Sequence, residues 1–184
     1  MEDFRLYSKN FILRPFKTED AKKVAELCND KSIYDNTFLL PFPYKLIDSI
    51  EWIEYLQKSW DLDRQITLAI CRKEDGEVIG CISLDLSQVH KRATIGYWLG
   101  APYRNQGIMT ECLKRIISYV FDERSYNKVY GEHFASNPAS GKVMKKAGLK
   151  YEGTLKGHLK KGPTYIDLVC YGLTREDYKK LSKG

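Results

Sequence analysis

Gly96-Tyr-Trp-Leu-Gly-Ala-Pro-Tyr-Arg-Asn-Gln-Gly-Ile-Met-Thr110 carries the reading of this fold. Ala93–Leu99, rich in β-branched and aromatic residues, predicts a strand that ends at Leu99 and gives way to a short loop. From Gly107 to about Glu123, Ile108, Cys112, Ile116 and Val120 recur at i+4 with Met109, Leu113 and Ile117 beside them, the pattern of a long amphipathic helix. A helix N-terminus carries unpaired N–H groups and roughly half a positive charge, which suits phosphate oxygens. Gly107 has no Cβ, so an anionic group can approach the main chain closely. Arg104 adds a cation and a donor fork. Taken alone, the segment fits equally a plain helix start beside a solvated arginine.

Upstream, Phe11–Phe16 reads as a short apolar strand and Thr18 as the cap of a helix to about Asn29, with Glu19 and Asp20 in its first turn. Residues 30–47, with Leu39-Leu-Pro-Phe-Pro-Tyr44, read as an ordered aromatic loop. Asp48 and Glu51 form a capping-box-like start for a helix from Ser49 to about Trp60. Strands follow at Ile66–Arg72 and, after the Glu74-Asp-Gly76 turn, at Val78–Leu86. Period-two alternation puts Val78, Gly80, Ile82, Leu84 and Leu86 on one face of that strand, and Ile79, Cys81, Ser83 and Asp85 on the other.

Downstream, Lys128–Ala135 is a strand. Pro138–Ala147 is a short helix with Asn137 at the N-cap, Pro138 at the first position and Gly148 just past the end. Ser140 shares a face with Val143, Met144 and Ala147, so a hydroxyl lies along an otherwise apolar stripe. A buried serine bonded back to its own helix accounts for that equally well. Leu149–Leu159 and Tyr165–Leu173 form a last hairpin across Lys160-Lys-Gly-Pro163. The order βααβββαβαββ predicts an α/β (α+β) fold: a mixed, mostly antiparallel sheet of six to seven strands with helices on both faces.

Length and composition agree. A chain of 184 residues with no repeat or linker predicts a single domain over 1–184 that buries roughly 70% of its unfolded surface. Apolar residues at 43% and charged residues at 29% are ordinary for a soluble globular protein. No apolar run approaches the roughly 20 residues of a spanning helix and the first residues are not signal-like, so a cytoplasmic location without membrane association is expected. The net charge of +6 is scattered with no basic block, and direct nucleic-acid binding is not expected. Cys28, Cys71, Cys81, Cys112 and Cys170 are spread apart, form no CxxC pair and do not cluster with His90, His133 or His158. They read as buried small hydrophobes, and no metal site is expected.

The order of elements, Arg104-Asn-Gln-Gly-Ile-Met109 and Asn137-Pro-Ala-Ser-Gly-Lys-Val-Met-Lys-Lys-Ala-Gly-Leu149 resemble the GCN5-related N-acetyltransferase (GNAT) superfamily. Within it they look like the branch of ribosomal-protein N-terminal (alanine/serine) acetyltransferases. The likeness extends to Leu40-Pro-Phe-Pro43, Ile95-Gly-Tyr-Trp98, Tyr151-Glu-Gly153 and Tyr165-Ile-Asp167, nearly the whole chain. The family's phosphate loop reads Arg/Gln-x-x-Gly-x-Gly/Ala; this chain supplies Arg104 and Gly107 but has Met109 at the last position.

The resemblance implies a fold, a cosubstrate and a site. Main-chain groups of Trp98, Leu99 and Gly100 would meet the pantetheine arm of acetyl-coenzyme A (acetyl-CoA) where two parallel strands splay apart. Arg104, Asn105, Gln106, Gly107, Ile108, Met109 and Thr110 would hold the pyrophosphate. Asn137 would bond the pantetheine amide, and Ser140 would sit near the thioester sulfur as general acid. Many relatives carry a glutamate where this chain has Thr94, and others a tyrosine acid where it has Met144. Asp85, Glu132 and Glu152 are the carboxylates that could act as base through water. Near neutral pH roughly a fifth of α-amines are free base, against about one lysine in a thousand, so a site without a strong base suits a protein N-terminus. The acceptor is expected near Phe38–Tyr44 and a helix bearing Trp52, Tyr55 and Trp60. A ribosomal-protein N-terminus is the implied partner, and a homodimer is compatible with it. The alternatives are a small amine (polyamine, amino sugar or amino acid analogue) as acceptor, or a catalytically silent acyl-CoA-binding module.

Overall fold

The computed structural model describes residues 3–181. Among them, eight strands form one sheet in the order β1-β2-β3-β4-β5-β6-β8-β7. The strands are β1 (Leu6–Tyr7), β2 (Phe11–Pro15), β3 (Gln65–Arg72), β4 (Val78–Ser87), β5 (Arg92–Leu99), β6 (Lys128–Phe134), β7 (Lys150–Lys161) and β8 (Thr164–Thr174). The helices are α1 (Ala21–Cys28), α2 (Lys31–Asn36), α3 (Leu46–Lys58), α4 (Ile108–Ser118), α5 (Pro138–Lys146) and α6 (Arg175–Leu181). All neighbours in the sheet run antiparallel except β5 and β6, which are parallel.

Two layers of core flank the sheet. On one side α4 presses Cys112, Leu113, Ile116 and Ile117 against Leu13, Ile66, Leu68, Ile82 and Leu84. On the other, Val24 and Cys28 of α1 and Ile53 and Leu56 of α3 pack on Ala69, Cys71 and Cys81. All five cysteines are free and buried. No helix among the described residues is long and apolar enough to cross a membrane.

The expected elements are present with corrections that have local causes. The extra strand, β1, is a two-residue edge with too little length to show periodicity. Helix α2 stands where a loop was expected: the Asp30 side chain caps it by accepting from the Ser32 amide at 2.8 Å. Thr18 does not cap α1. A turn of 3₁₀ helix, Thr18–Asp20, precedes it, and the Asp20 carboxylate takes the Lys17 amide (2.8 Å) and a bidentate pair from Arg14 (2.7 and 2.9 Å). Helix α3 begins at Leu46 rather than Ser49, because Asp48 sits in its first turn and accepts from the Lys45 amide at 2.6 Å.

The alternation expected in β4 breaks at its start. Ile70 pairs with Gly80 and Cys71 with Val78, leaving Ile79 as a bulge. Val78 therefore joins Cys81 on the α1/α3 side. Helix α4 ends at Ser118 and continues through Glu123 as a π-helical turn. Helix α6 was not anticipated.

Candidate active site

Strands β5 and β6 pair only from Arg92↔Lys128 to Ile95↔Gly131. Beyond that, Gly96–Leu99 is held by β4 alone and Glu132–Phe134 by β8 alone. The two parallel strands part, and the edges that face each other have no strand partner. A cavity of about 1290 Å³ opens there, lined by Gly96–Leu99, Glu132–Phe134 and the first turns of α4 and α5.

The loop into α4 is shaped by its backbone. After one 3₁₀ turn (Ala101–Tyr103), Asn105 and Gly107 both take left-handed conformations, with φ of +62° and +79°. Asparagine tolerates that region and glycine is at home in it. A Cβ on Gly107 would have no atom within 4 Å, so the space above the main chain is open. The bond from the Glu111 N–H to the Gly107 carbonyl (3.1 Å) opens the helix, and the amides of Ile108, Met109 and Thr110 lie before it. Alternating handedness next to a helix start makes an anion-binding concavity. Gln106 steadies the loop by donating to the Pro102 carbonyl at 2.9 Å. Ile108 and Met109 are buried in the core, which gives the long Met109 side chain room where the family pattern has Gly or Ala. Glu111 is turned to the β1–β2 connection, accepting from the Ser8 hydroxyl (2.7 Å) and the Asn10 amide (2.7 Å).

Arg104 is a cation fixed by three partners. Its Nε donates to the Leu99 carbonyl (3.0 Å), Nη1 to the Ser32 hydroxyl (2.7 Å) and Nη2 to Asp30 (2.8 Å). Burial alone would raise the Asp30 pKa, but its bonds from Ser32 and the Arg104 charge outweigh that and hold it below the usual range. Arg104 thus fastens the end of β5 to the start of α2. Gly100 N–H is likewise engaged, with the Ile79 carbonyl at 3.0 Å. Trp98 lines the cavity and packs with the α1/α3 core.

On the other wall, Asn137 occupies the N-cap position of α5, yet its side chain makes no capping bond. Its main chain does the local work: N–H to the Phe134 carbonyl (2.7 Å), and carbonyl from the Ser140 N–H (3.2 Å). The side-chain amide is left to the cavity it lines. His133 sets how closely α5 approaches β6. Its Nδ1 lies 2.8 Å from the Phe134 carbonyl, which only accepts, so Nδ1 carries the proton. Nε2 then faces Gly141, where a Cβ would come within 2.6 Å.

Ser140 does not bond back to its own helix through its hydroxyl. Its Oγ lies 2.9 Å from the Tyr97 hydroxyl, which also reaches the Ser140 carbonyl at 3.1 Å. Burial pushes the Tyr97 phenol up to about 12, offset in part by the Ser140 bond, so it stays protonated across the physiological range. Tyr97 is a site residue that sequence reasoning missed. The signal was available: alternation places it with Ala93 and Ile95 on the apolar face, a hydroxyl on an otherwise greasy stripe. Met144 is fully buried.

Of the carboxylates considered as base, Glu132 alone lines the cavity, and it accepts from the Tyr130 hydroxyl at 2.8 Å. Asp85 lies opposite Thr94 in the β4–β5 register, outside the cavity lining, with its pKa raised by burial. Glu152 is paired with Lys128 at 2.7 Å. Phe38–Pro41, Tyr44, Trp52 and Tyr55 line the far end of the cavity. Trp60 does not; it packs edge-on to Phe4 at 5.8 Å. Lys161, at the tip of the β7–β8 hairpin, closes this end by donating to the carbonyls of Tyr34 and Thr37 (the latter 2.7 Å) and sitting 4.1 Å over the Tyr34 ring.

Comparison with known proteins agrees with this geometry. Residues 10–150 match the model of the acetyltransferase (GNAT) domain. The SPbeta prophage-derived uncharacterized N-acetyltransferase YokL of Bacillus subtilis is 29% identical over 174 residues, 93% of each chain. The ribosomal-protein-serine acetyltransferase of Escherichia coli is 27% identical over 139 residues, 68% of this chain and 77% of that one. Among solved structures, the microcin C7 self-immunity acetyltransferase MccE, in complex with acetyl-CoA and AMP, superposes with a TM-score of 0.82 at 21% identity, covering 90% of this chain and 93% of that one. The parted strands, the left-handed loop and the family match agree: this chain belongs to the GNAT family and is an N-acetyltransferase.

Proposed function

We propose that the chain transfers the acetyl group of acetyl-CoA to the N-terminal α-amine of a protein, a ribosomal protein being the class its relatives suggest. The observation that carries this is the gap between β5 and β6, with an amide-lined helix start at one end and the Ser140–Tyr97 hydroxyl pair at the other. The first takes a diphosphate and the second meets a thioester. The amides of residues 105–110 hold the diphosphate, main-chain groups on the free edge of β5 take the pantetheine arm, and the uncapped Asn137 amide bonds one of its peptide-like groups.

The acceptor amine attacks the carbonyl carbon and the C–S bond breaks. The Ser140 hydroxyl gives its proton to the departing sulfur, and the neighbouring Tyr97 hydroxyl steadies the oxygen left behind. The proton shed by the nitrogen restores the balance through water. Glu132, which lines the cavity, would relay that proton through water back to Ser140. Of Asp85, Glu132 and Glu152, Glu132 alone lines the cavity and it already accepts from the Tyr130 hydroxyl, which favours an acceptor largely free of its proton near neutral pH, an α-amine rather than a lysine.

Thiol release measured with acetyl-CoA and a panel of peptide N-termini, Nα-blocked lysine peptides, polyamines and aminoglycosides tests this. Peptide N-termini are expected to turn over fastest. The rate should climb with pH through about 8 as the α-amine deprotonates, with no loss attributable to Tyr97 below about 12. Faster turnover of a lysine side chain or a polyamine would overturn the assignment. A silent binding module would bind the cofactor and release no thiol.

A further inference from the structure

The junction between α1 and α2 carries a polar cluster that the transfer chemistry leaves unused. Asp30 and Arg104 lie 74 residues apart in sequence, yet with Ser32 they close a ring of hydrogen bonds. Arg104 Nη2 donates to one Asp30 oxygen (2.8 Å) and Nη1 to the Ser32 hydroxyl (2.7 Å), which in turn donates to the other Asp30 oxygen (2.8 Å). The serine hydroxyl accepts and donates at once, so each bond polarises the next. With Nε on the Leu99 carbonyl, three of the five N–H groups of the guanidinium are taken up. An arginine paired to a carboxylate in this way has its charge offset, and the diphosphate is left to the amides of the loop.

What the ring holds in place is the far wall of the cavity. Asp30 does not line the cavity, so it acts through its partners; Ser32 and Arg104 do line it. Past Ser32, α2 gives Ile33, Asn36 and Thr37 to the wall and leads into the aromatic loop. The neighbouring Asn29 holds the other end of that loop, its side-chain carbonyl accepting from the amide of the buried Tyr44 at 3.2 Å. Two adjacent residues therefore fix the helix that enters the aromatic loop and the residue that ends it, and Asp30 ties both to the end of β5. A wall ordered in advance lowers the entropy lost when an acceptor settles against it.

We propose that Asp30 is a positioning residue for the acceptor: through Arg104 and Ser32 it sets the wall made by α2 and the aromatic loop against the end of β5. The inference rests on the reading that puts the acceptor at the aromatic end, and it holds for whichever amine is acetylated there. Asp30→Asn tests it, since it keeps one side-chain oxygen to cap α2 and removes the second that receives Arg104. Amide hydrogen exchange in the protein without cofactor or acceptor should quicken across Ile33–Tyr44 and stay unchanged in Ile108–Ser118. Calorimetry should find coenzyme A affinity within about twofold of wild type, while KM for an alanine-initiated peptide rises about fivefold and kcat holds. Arg104→Lys, which keeps the charge and loses the fork, should raise that KM equally, and the double variant should be no worse than either single one. Should Asp30→Asn fold poorly, Ser32→Ala opens the same ring and should give the same pattern, smaller. A loss of coenzyme A affinity as large as the rise in acceptor KM, multiplying effects in the double variant, or an unchanged acceptor KM would overturn the positioning role. Turnover of polyamines with no peptide turned over would overturn the α-amine reading alone, and spermidine then replaces the peptide in the same comparison.

Discussion

The two ends of the cavity are built from different material. The end proposed for the cofactor is backbone: a free strand edge, two left-handed residues and the first amides of α4. The end proposed for the acceptor is side chains drawn from the aromatic loop, α3 and three strands, with Leu39 standing 88% exposed at its rim. A backbone site tolerates change in side chains so long as the conformation survives, which is how Met109 fits where the family pattern has Gly or Ala. A side-chain site is rewritten by single substitutions. The ends meet at α2, whose start is fastened to the cofactor loop by Arg104 and whose C-terminal carbonyls are held by Lys161.

Breaking each end should therefore give different signatures. The largest effect belongs to the reacting centre: Ser140→Ala should lower kcat about 100-fold in the thiol-release assay while calorimetry finds acetyl-CoA affinity nearly unchanged. Next, Gly107→Ala should weaken acetyl-CoA binding about tenfold, although its Cβ has open space, because the cost is in the left-handed backbone. Gly107→Asn should recover much of that loss, whereas a side-chain contact would not respond in this way. Lys161→Met should raise the acceptor KM roughly threefold and leave cofactor affinity alone, since it loosens only the far end of α2. The smallest change is to stability. Burial would raise the Glu111 pKa, but bonds from Ser8 and Asn10 outweigh it and hold it low. A depressed folded-state pKa stabilises above the unfolded value and is lost as pH falls through it. Glu111→Gln should cost about 1 kcal/mol in urea unfolding at pH 7, and the difference should shrink toward pH 3.

The same contrast explains what the sequence made legible. Periodicity in Ile108–Val120 and the Gly107 break located the start of α4 to within one residue, because a helix start is a local event. The parting of β5 and β6 was reached only through resemblance, since nothing in Ile95 or Gly131 announces the last pair of a ladder. What fixes Arg104 was not legible, because its partners, Asp30 and Ser32, lie over 70 residues away in sequence and at the start of a helix too short to show a stripe. Helix α6 had a signal that went unused: Thr174 and Asp177 form an S/T-x-x-D box, with the Asp177 amide on the Thr174 hydroxyl at 3.2 Å.

Amide hydrogen exchange with and without coenzyme A tests most directly the claim that backbone in the β5–β6 gap holds the cofactor. Protection is expected to rise together in Gly96–Leu99 and in Asn105–Thr110, with Phe38–Tyr44 unchanged until an acceptor peptide is added. Unchanged exchange in both of the first two stretches at saturating coenzyme A, or protection confined to the aromatic loop, would contradict it.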